Sequence, residues 1–415
     1  MHQIPVSATR RASTAAALLL PCCLLVVQPL PAHAQAPSPA LAPGAPAPEA
    51  AAPTSNAMAV PAMTGPLVAN PNPMHTDFDE FGTIYLTGAI SGLTMFQSDH
   101  VVGDSPFNVD LSNAHFIIQK TDGVVQFYAH AGMYTFPTLG TPYFHVAKNT
   151  GDTFGLVPAA YLKLVPNDTF SIQAGKLYTL IGAEYCFTFQ NMNIERGLLF
   201  NQEPIMSRGV QGNYTMGPVA FSLSLNDGFY SETYNWLSGS AAWTINKENT
   251  LTVAAAGNFD RTTKSTFVTP LAQNNSTIVN LIYTYNAAPW TITPYFQYTN
   301  VPANTALGFG QDASTWGGAV LANYAINDNV SLAGRWEYIG SSGSPAKGAA
   351  NLLGYGAGSS AASFTVTPTY QQGIYFLRAD ASVVQLFDTA AGSAFGKAGN
   401  TKTQGRFVLE TGIIF

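Results

Sequence analysis

Gly405-Arg406-Phe407-Val408-Leu409-Glu410-Thr411-Gly412-Ile413-Ile414-Phe415 closes the chain, and its alternation decides the fold. Stepping back by twos from Phe415 gives Ile413, Thr411, Leu409 and Phe407, while Arg406 and Glu410 fall on the intervening positions. In an extended strand these two sets project from opposite faces. One face is suited to hydrocarbon and the other to water. A strand in the wall of a transmembrane barrel meets both conditions, because lipid lies outside and a wet lumen inside.

Composition agrees. Charged residues make up 10% of the chain, against about 25% in an ordinary soluble protein. Mean hydropathy is barely positive, and no segment after the N-terminal region approaches the ~20 apolar residues of a spanning helix. Soluble all-β proteins cover their outer faces with Lys and Glu; this chain does not.

Residues 1–34 read as a secretory signal: Arg10 and Arg11, an apolar stretch over 12–27, and the cleavage site Ala32-His33-Ala34. Its removal takes away Cys22 and Cys23, leaving Cys186 alone, so neither an intramolecular disulfide nor a cysteine zinc site can form. Removal of Arg10 and Arg11 from the 17 basic residues leaves 15 against 23 acidic ones, a net −8, which excludes a nucleic-acid-binding surface. Residues 35–80 form an Ala/Pro-rich periplasmic linker in this reading, since such a stretch cannot bury enough surface to fold. The barrel is expected over 81–415.

Period-two alternation runs through 83–92, 219–226, 237–245, 251–260, 290–298, 364–370 and 375–383, with Pro294 and Pro368 expected as bulges or interruptions. Short turn signals, such as Asp122-Gly123, Met216-Gly217-Pro218 and Asn327-Asp328-Asn329, alternate with long loops near 94–112, 135–157, 177–206, 227–235, 261–275, 299–313, 341–362 and 388–403. Both chain ends fall on the short-turn side. The pattern predicts an all-β, antiparallel transmembrane barrel of about 16 strands, wide enough to leave an aqueous channel. Trp243, Trp290, Tyr214, Tyr285, Tyr324 and Tyr370 sit beside the short turns, where they would form an interfacial girdle.

Charges collect on the lumen parity. Lys163, Arg335, Glu337, Arg378, Asp380, Arg406 and Glu410 are expected to line the pore wall. They either brace one another or present three arginines as a positive stripe, and both readings stay open. The longest loop, 177–206, carries Glu184, Glu195, Arg196 and Glu203, with Arg208 just beyond, among apolar anchors Leu198, Leu199 and Phe200. An exposed loop needs no such anchors, so it is expected to fold into the lumen as a constriction, the alternative being an external lid. Its carboxylates facing the arginines would set a transverse field across the opening.

The segments Gly175-Lys176-Leu177, Gly182-Ala183-Glu184, Asn193-Ile194-Glu195-Arg196-Gly197-Leu198-Leu199-Phe200, Arg208-Gly209-Val210-Gln211-Gly212 and Asn226-Asp227-Gly228-Phe229 resemble the OmpL-like bacterial β-barrel porins. The resemblance continues more loosely to Phe415 and implies a Gram-negative outer-membrane porin; it supplies no defined substrate. The Phe415 ending is similar to the C-terminal signal of outer-membrane proteins, which implies recognition by the barrel assembly machinery through Phe407, Leu409, Thr411, Ile413 and Phe415.

The expected function is passive diffusion of small hydrophilic solutes, with outer-membrane lipid as surroundings, no cofactor, no metal and no catalytic residue. A homotrimer suits a barrel of this size. Two other classes stay open: a structural or adhesive barrel with a plugged lumen, and a hydrolase with its site at the rim. His100, His115, His130 and His145 lack metal-ligand spacing, and Gly354-Tyr355-Gly356-Ala357-Gly358 lacks the helix and Lys of a phosphate loop. Conductance separates a porin from a plugged barrel.

Overall fold

The computed structural model describes residues 65–415. The expected signal and most of the linker lie outside the described residues. A short strand β1 (Met74–Phe78) precedes sixteen long ones: β2 (Gly82–Gln97), β3 (Phe107–Lys120), β4 (Val125–Tyr134), β5 (Ala159–Asn167), β6 (Phe170–Tyr178), β7 (Met206–Met216), β8 (Val219–Asn226), β9 (Trp236–Asn246), β10 (Asn249–Asn258), β11 (Thr277–Ala287), β12 (Trp290–Val301), β13 (Ala313–Ala325), β14 (Val330–Ser341), β15 (Ser360–Gln372), β16 (Tyr375–Phe387) and β17 (Thr403–Ile414). Each of β2 to β17 pairs antiparallel with its chain neighbour. The barrel closes where β17 pairs with β2, from Arg406↔Gln97 to Ile414↔Ala89.

Closure explains the last residue. The Phe415 amide donates to the Gly88 carbonyl at 3.0 Å and Gly88 returns the bond at 2.9 Å. A Cβ on Gly88 would stand 2.6 Å from the Phe415 ring, so only glycine leaves that ring its place. β1 then takes the edge of β2 below this point, Met74↔Leu86 to Phe78↔Gly82.

Outward positions are apolar. Trp336, Phe364, Leu377, Phe407 and Leu409 are exposed, while their chain neighbours Arg335, Glu337, Thr365, Arg378, Arg406, Val408 and Glu410 are buried inside. A cation on the lipid face at mid-membrane would cost ~2–4 kcal/mol, which accounts for the segregation. The two prolines interrupt as expected: β11–β12 pairing is skipped between Tyr295 and Ile292, across Pro294, and β15–β16 pairing between Val366 and Thr369, across Pro368. The loops near 94–112 and 299–313 are shorter than expected, because β2, β3 and β12 continue past the alternation visible in sequence.

Long loops gather at one end, and one of them, 135–158, carries a short helix, α1 (Val146–Asp152). At the other end the chain just before β1 is packed rather than free. Leu67 is buried among Ala89, Phe376 and Ile414, and Val68 exchanges two hydrogen bonds with the Gln371 side chain, at 2.8 and 2.9 Å. The stretch expected as linker therefore ends in ordered, docked chain.

Candidate pore interior

The loop between β6 and β7, residues 179–205, folds inward, and nearly all of it is buried. Wall charges hold it. Arg335 Nη1 lies 2.6 Å from Glu184 Oε1 and donates to the Glu195 carbonyl at 2.7 Å. Arg378 donates to the carbonyls of Thr188, Asn191 and Met192 at 3.0–3.1 Å. Arg406 Nη1 lies 2.9 Å from Glu195 Oε1. The wall carboxylates take loop donors in turn: Glu337 accepts Leu198 N–H at 3.0 Å, Asp380 accepts Glu195 N–H at 2.8 Å, and Glu410 accepts Thr188 Oγ1–H at 2.6 Å.

This approach needs a bare backbone at one position. A Cβ on Gly197 would lie 2.0 Å from Glu337 Oε1. Buried charges persist only when paired and hydrogen-bonded. Here the partners are loop main chain (most of all for Arg378), loop carboxylates, and the neighbouring wall charges in Arg335–Glu337 and Arg378–Glu410.

The expected transverse field therefore changes in character. The loop carboxylates do not face the arginines across an opening; they close onto them, because the apolar anchors pull the loop against the wall. Leu198 and Leu199 pack with Leu139, Ala319, Leu321, Tyr295 and Ile339. The three arginines are braced and do not form a free positive stripe.

Glu203 joins the loop set elsewhere, accepting the Tyr295 hydroxyl on β12. Arg196 donates to the Cys186 carbonyl at 2.5 Å and lies between the rings of Phe136 and Phe200, 6.0 and 5.9 Å from their centroids. Arg208 is corrected. It sits on β7, on the outward parity shared with Val210 and Tyr214, opposite Lys176 of β6. There it pairs with Glu232 at 3.1 Å and stacks on Tyr230 at 3.7 Å. The strand starts at Met206, so Arg208 lies within it, and counting back from exposed Tyr214 and Val210 puts Arg208 outside.

Opposite the latched wall the lumen keeps space at both ends. Toward the short turns a cavity of about 460 Å³ is lined by Gln119, Tyr128, Tyr161, Lys163, Gln173 and Tyr178, among others. Toward the long loops lies a second cavity of about 330 Å³, bordered by Phe154, Ile205 and Met206. These residues, with Leu177 and Phe187, belong to one packed cluster that separates the two spaces.

Sequence reasoning missed several participants. His115 and His130 meet at 2.5 Å between ring nitrogens, and His130 continues to the Tyr178 hydroxyl at 2.8 Å. Both imidazoles face inward on adjacent strands, where His130 pairs with Ile117 two residues from His115. That parity was readable; the register was not. Among the described residues no group of His, Cys, Asp and Glu is arranged to hold a metal.

The sequence over residues 83–415 matches the family model described as "Putative beta-barrel porin-2, OmpL-like". The chain belongs to the OmpL-like β-barrel porins. It is accordingly a porin-type barrel of the Gram-negative outer membrane, and in such barrels the long loops lie outside the cell and the short turns in the periplasm. Solved structures share the fold at low identity. OmpF of Salmonella typhi, in complex with daunomycin, is 13% identical with a TM-score of 0.55, covering 82% of this chain and all of its own. The outer-membrane channel DcaP of Acinetobacter baumannii is 11% identical at 0.53, covering 80% and 97%. OmpT, an outer-membrane protein of Vibrio cholerae, is 12% identical at 0.52, covering 80% and 97%. No curated protein matches the sequence.

Proposed function

We propose that this OmpL-like porin carries small hydrophilic solutes and ions by passive, gradient-driven diffusion, making and breaking no bond. The observation that carries the reading is the asymmetric lumen. The loop 179–205 is latched to β14, β16 and β17, while cavities open at both ends of the β3–β8 side. The loop acts as the constriction, with Glu184, Glu195, Arg196 and Glu203 fixing its shape and Leu177, Tyr178 and Met206 forming the narrow partition. Size and desolvation at such an apolar neck limit passage.

Charge preference falls to Lys163, which lines the periplasmic cavity, because Arg335, Arg378 and Arg406 already have partners. Mature protein in planar bilayers should conduct KCl, and Lys163→Gln should lower its anion permeability. A Lys163→Gln channel with unchanged reversal potential would reject that assignment.

The rest of the reading concerns maturation and assembly. The signal 1–34 is cleaved, 35–64 tethers the barrel on the periplasmic side, and the C-terminal strand addresses the chain to the barrel assembly machinery. A homotrimer in outer-membrane lipid is supported by the trimer form in which OmpT of Vibrio cholerae was solved. The plugged-barrel reading draws on one observation, the docking of residues 65–69 under the loop, where a Cβ on Gly65 would meet the Asn191 carbonyl at 2.2 Å. A silent bilayer would favour it.

A further inference from the structure

The cavity at the extracellular mouth is lined more by aromatic rings than by polar groups. About 330 Å³ is enclosed by loop residues, with Phe136, Phe144, Phe154, Phe200, Phe229 and Phe267 among its walls. Six phenylalanines around a space of this size offer ring edges and faces to a planar apolar group. A few convergent polar groups, Asn149, Asn201 and Thr141, complete the lining. That is the composition of a small-molecule site: mostly apolar walls with a small number of polar groups to orient the guest.

Its charge environment is also specific. Arg196 is fully buried, and it stands directly behind the cavity wall between Phe136 and Phe200. Arg335, Arg378 and Arg406 each have a carboxylate within 3.7 Å. Among the described residues Arg196 has none, and its Nε and Nη2 have no hydrogen-bond partner. A buried guanidinium with no carboxylate in contact and two unpartnered donors attracts an anion, and a carboxylate matches those donors. The one acidic residue of the lining, Glu203, gives its carboxylate to Tyr295.

We propose that this outer cavity binds small aromatic carboxylates, the ring held among the phenylalanines and the carboxylate drawn toward Arg196. The site loads such solutes at the mouth before they meet the apolar neck. This rests on the porin reading for its purpose, but the binding itself does not depend on conduction.

The test is saturation-transfer NMR titration of sodium benzoate, sodium acetate and benzylamine against the mature protein in detergent, with KCl conductance recorded on the same preparation. Benzoate should bind at least ~tenfold more tightly than acetate or benzylamine, the order expected for a buried ring plus attraction to the buried cation behind the wall. Phe200→Ala should weaken it by ~tenfold, and Arg196→Gln should remove its advantage over benzylamine. Phe144→Ala, in an extracellular loop, is the second variant should Phe200→Ala fail to fold.

Benzoate binding no tighter than acetate, equal binding of benzylamine, or unchanged binding by the folded variants would overturn the proposal. Binding without conductance overturns the porin reading and keeps the site. Conductance without binding does the reverse.

Discussion

Arg335 on the barrel wall and Glu184 on the inward loop lie 151 residues apart in the chain, yet their charged groups meet at 2.6 Å with both side chains almost wholly buried. Such a contact has two consequences. It fixes where the loop lies, and it leaves a costly charge behind if either partner is removed.

Glu184→Gln or Arg335→Gln should therefore cost ~3–5 kcal/mol, the range for breaking a buried pair from one side. The measurement is urea unfolding of the detergent-folded barrel, with protease cleavage within 179–205 as the local readout. Both single variants should expose the loop. Equal stability and an uncut loop would show that the pair does not hold it.

Gly197→Ala tests the same latch through the backbone. Its methyl group would collide with the Glu337 carboxylate, which accepts the next amide, Leu198 N–H. Overpacking of this kind costs ~1–3 kcal/mol. On a Glu337→Ser background the methyl has room, so the two effects should be strongly non-additive in unfolding measurements. Simple additivity would mean that the loop does not approach the wall this closely.

How much of this was legible follows from the physics of each part. Strands such as β12, β16 and β17 could be read because lipid on one side and water on the other impose a period of two. The inward placement of Arg335, Arg378 and Arg406 followed from the same parity. The latch could not be read, because alternation says which face a residue takes and nothing about which loop meets it across the lumen. Arg208 was misplaced because it belongs to a strand whose start, Met206, sits inside the apparent loop. The docking of Leu67 was invisible because a single leucine in an Ala/Pro-rich stretch carries no periodic signal. Gln371, which bonds the neighbouring Val68, lies at the β15–β16 turn, 303 residues later in sequence.

That docking yields a third prediction. Deletion of residues 65–73 should enlarge the single-channel step, since Leu67 and the Val68–Gln371 hydrogen bonds hold chain beneath the loop at the periplasmic end. An unchanged step would place this segment outside the conducting path.

A fourth concerns pH at the extracellular rim. Hydrogen bonds from Lys264 and Arg208 hold the Glu232 carboxyl below its ordinary range, which is ~4.3 for a free glutamate. A depressed folded-state value means that the contact contributes above the unfolded value and is lost as pH falls through the folded one. Hydrogen exchange of loop 227–235 should therefore be slow at neutral and mildly acidic pH and quicken only below ~4. Glu232→Gln should exchange fast throughout. Quickening near pH 6 in the unmodified protein would point to a different titrating group.

The central claim is that a water-filled path survives beside the latched loop. Single-channel recording of the mature protein in a planar bilayer with KCl tests it most directly, with Glu184→Gln recorded alongside. The account predicts discrete, long-lived steps for the unmodified barrel and larger, noisier ones once the latch is broken. A correctly folded barrel that inserts and stays electrically silent would contradict it.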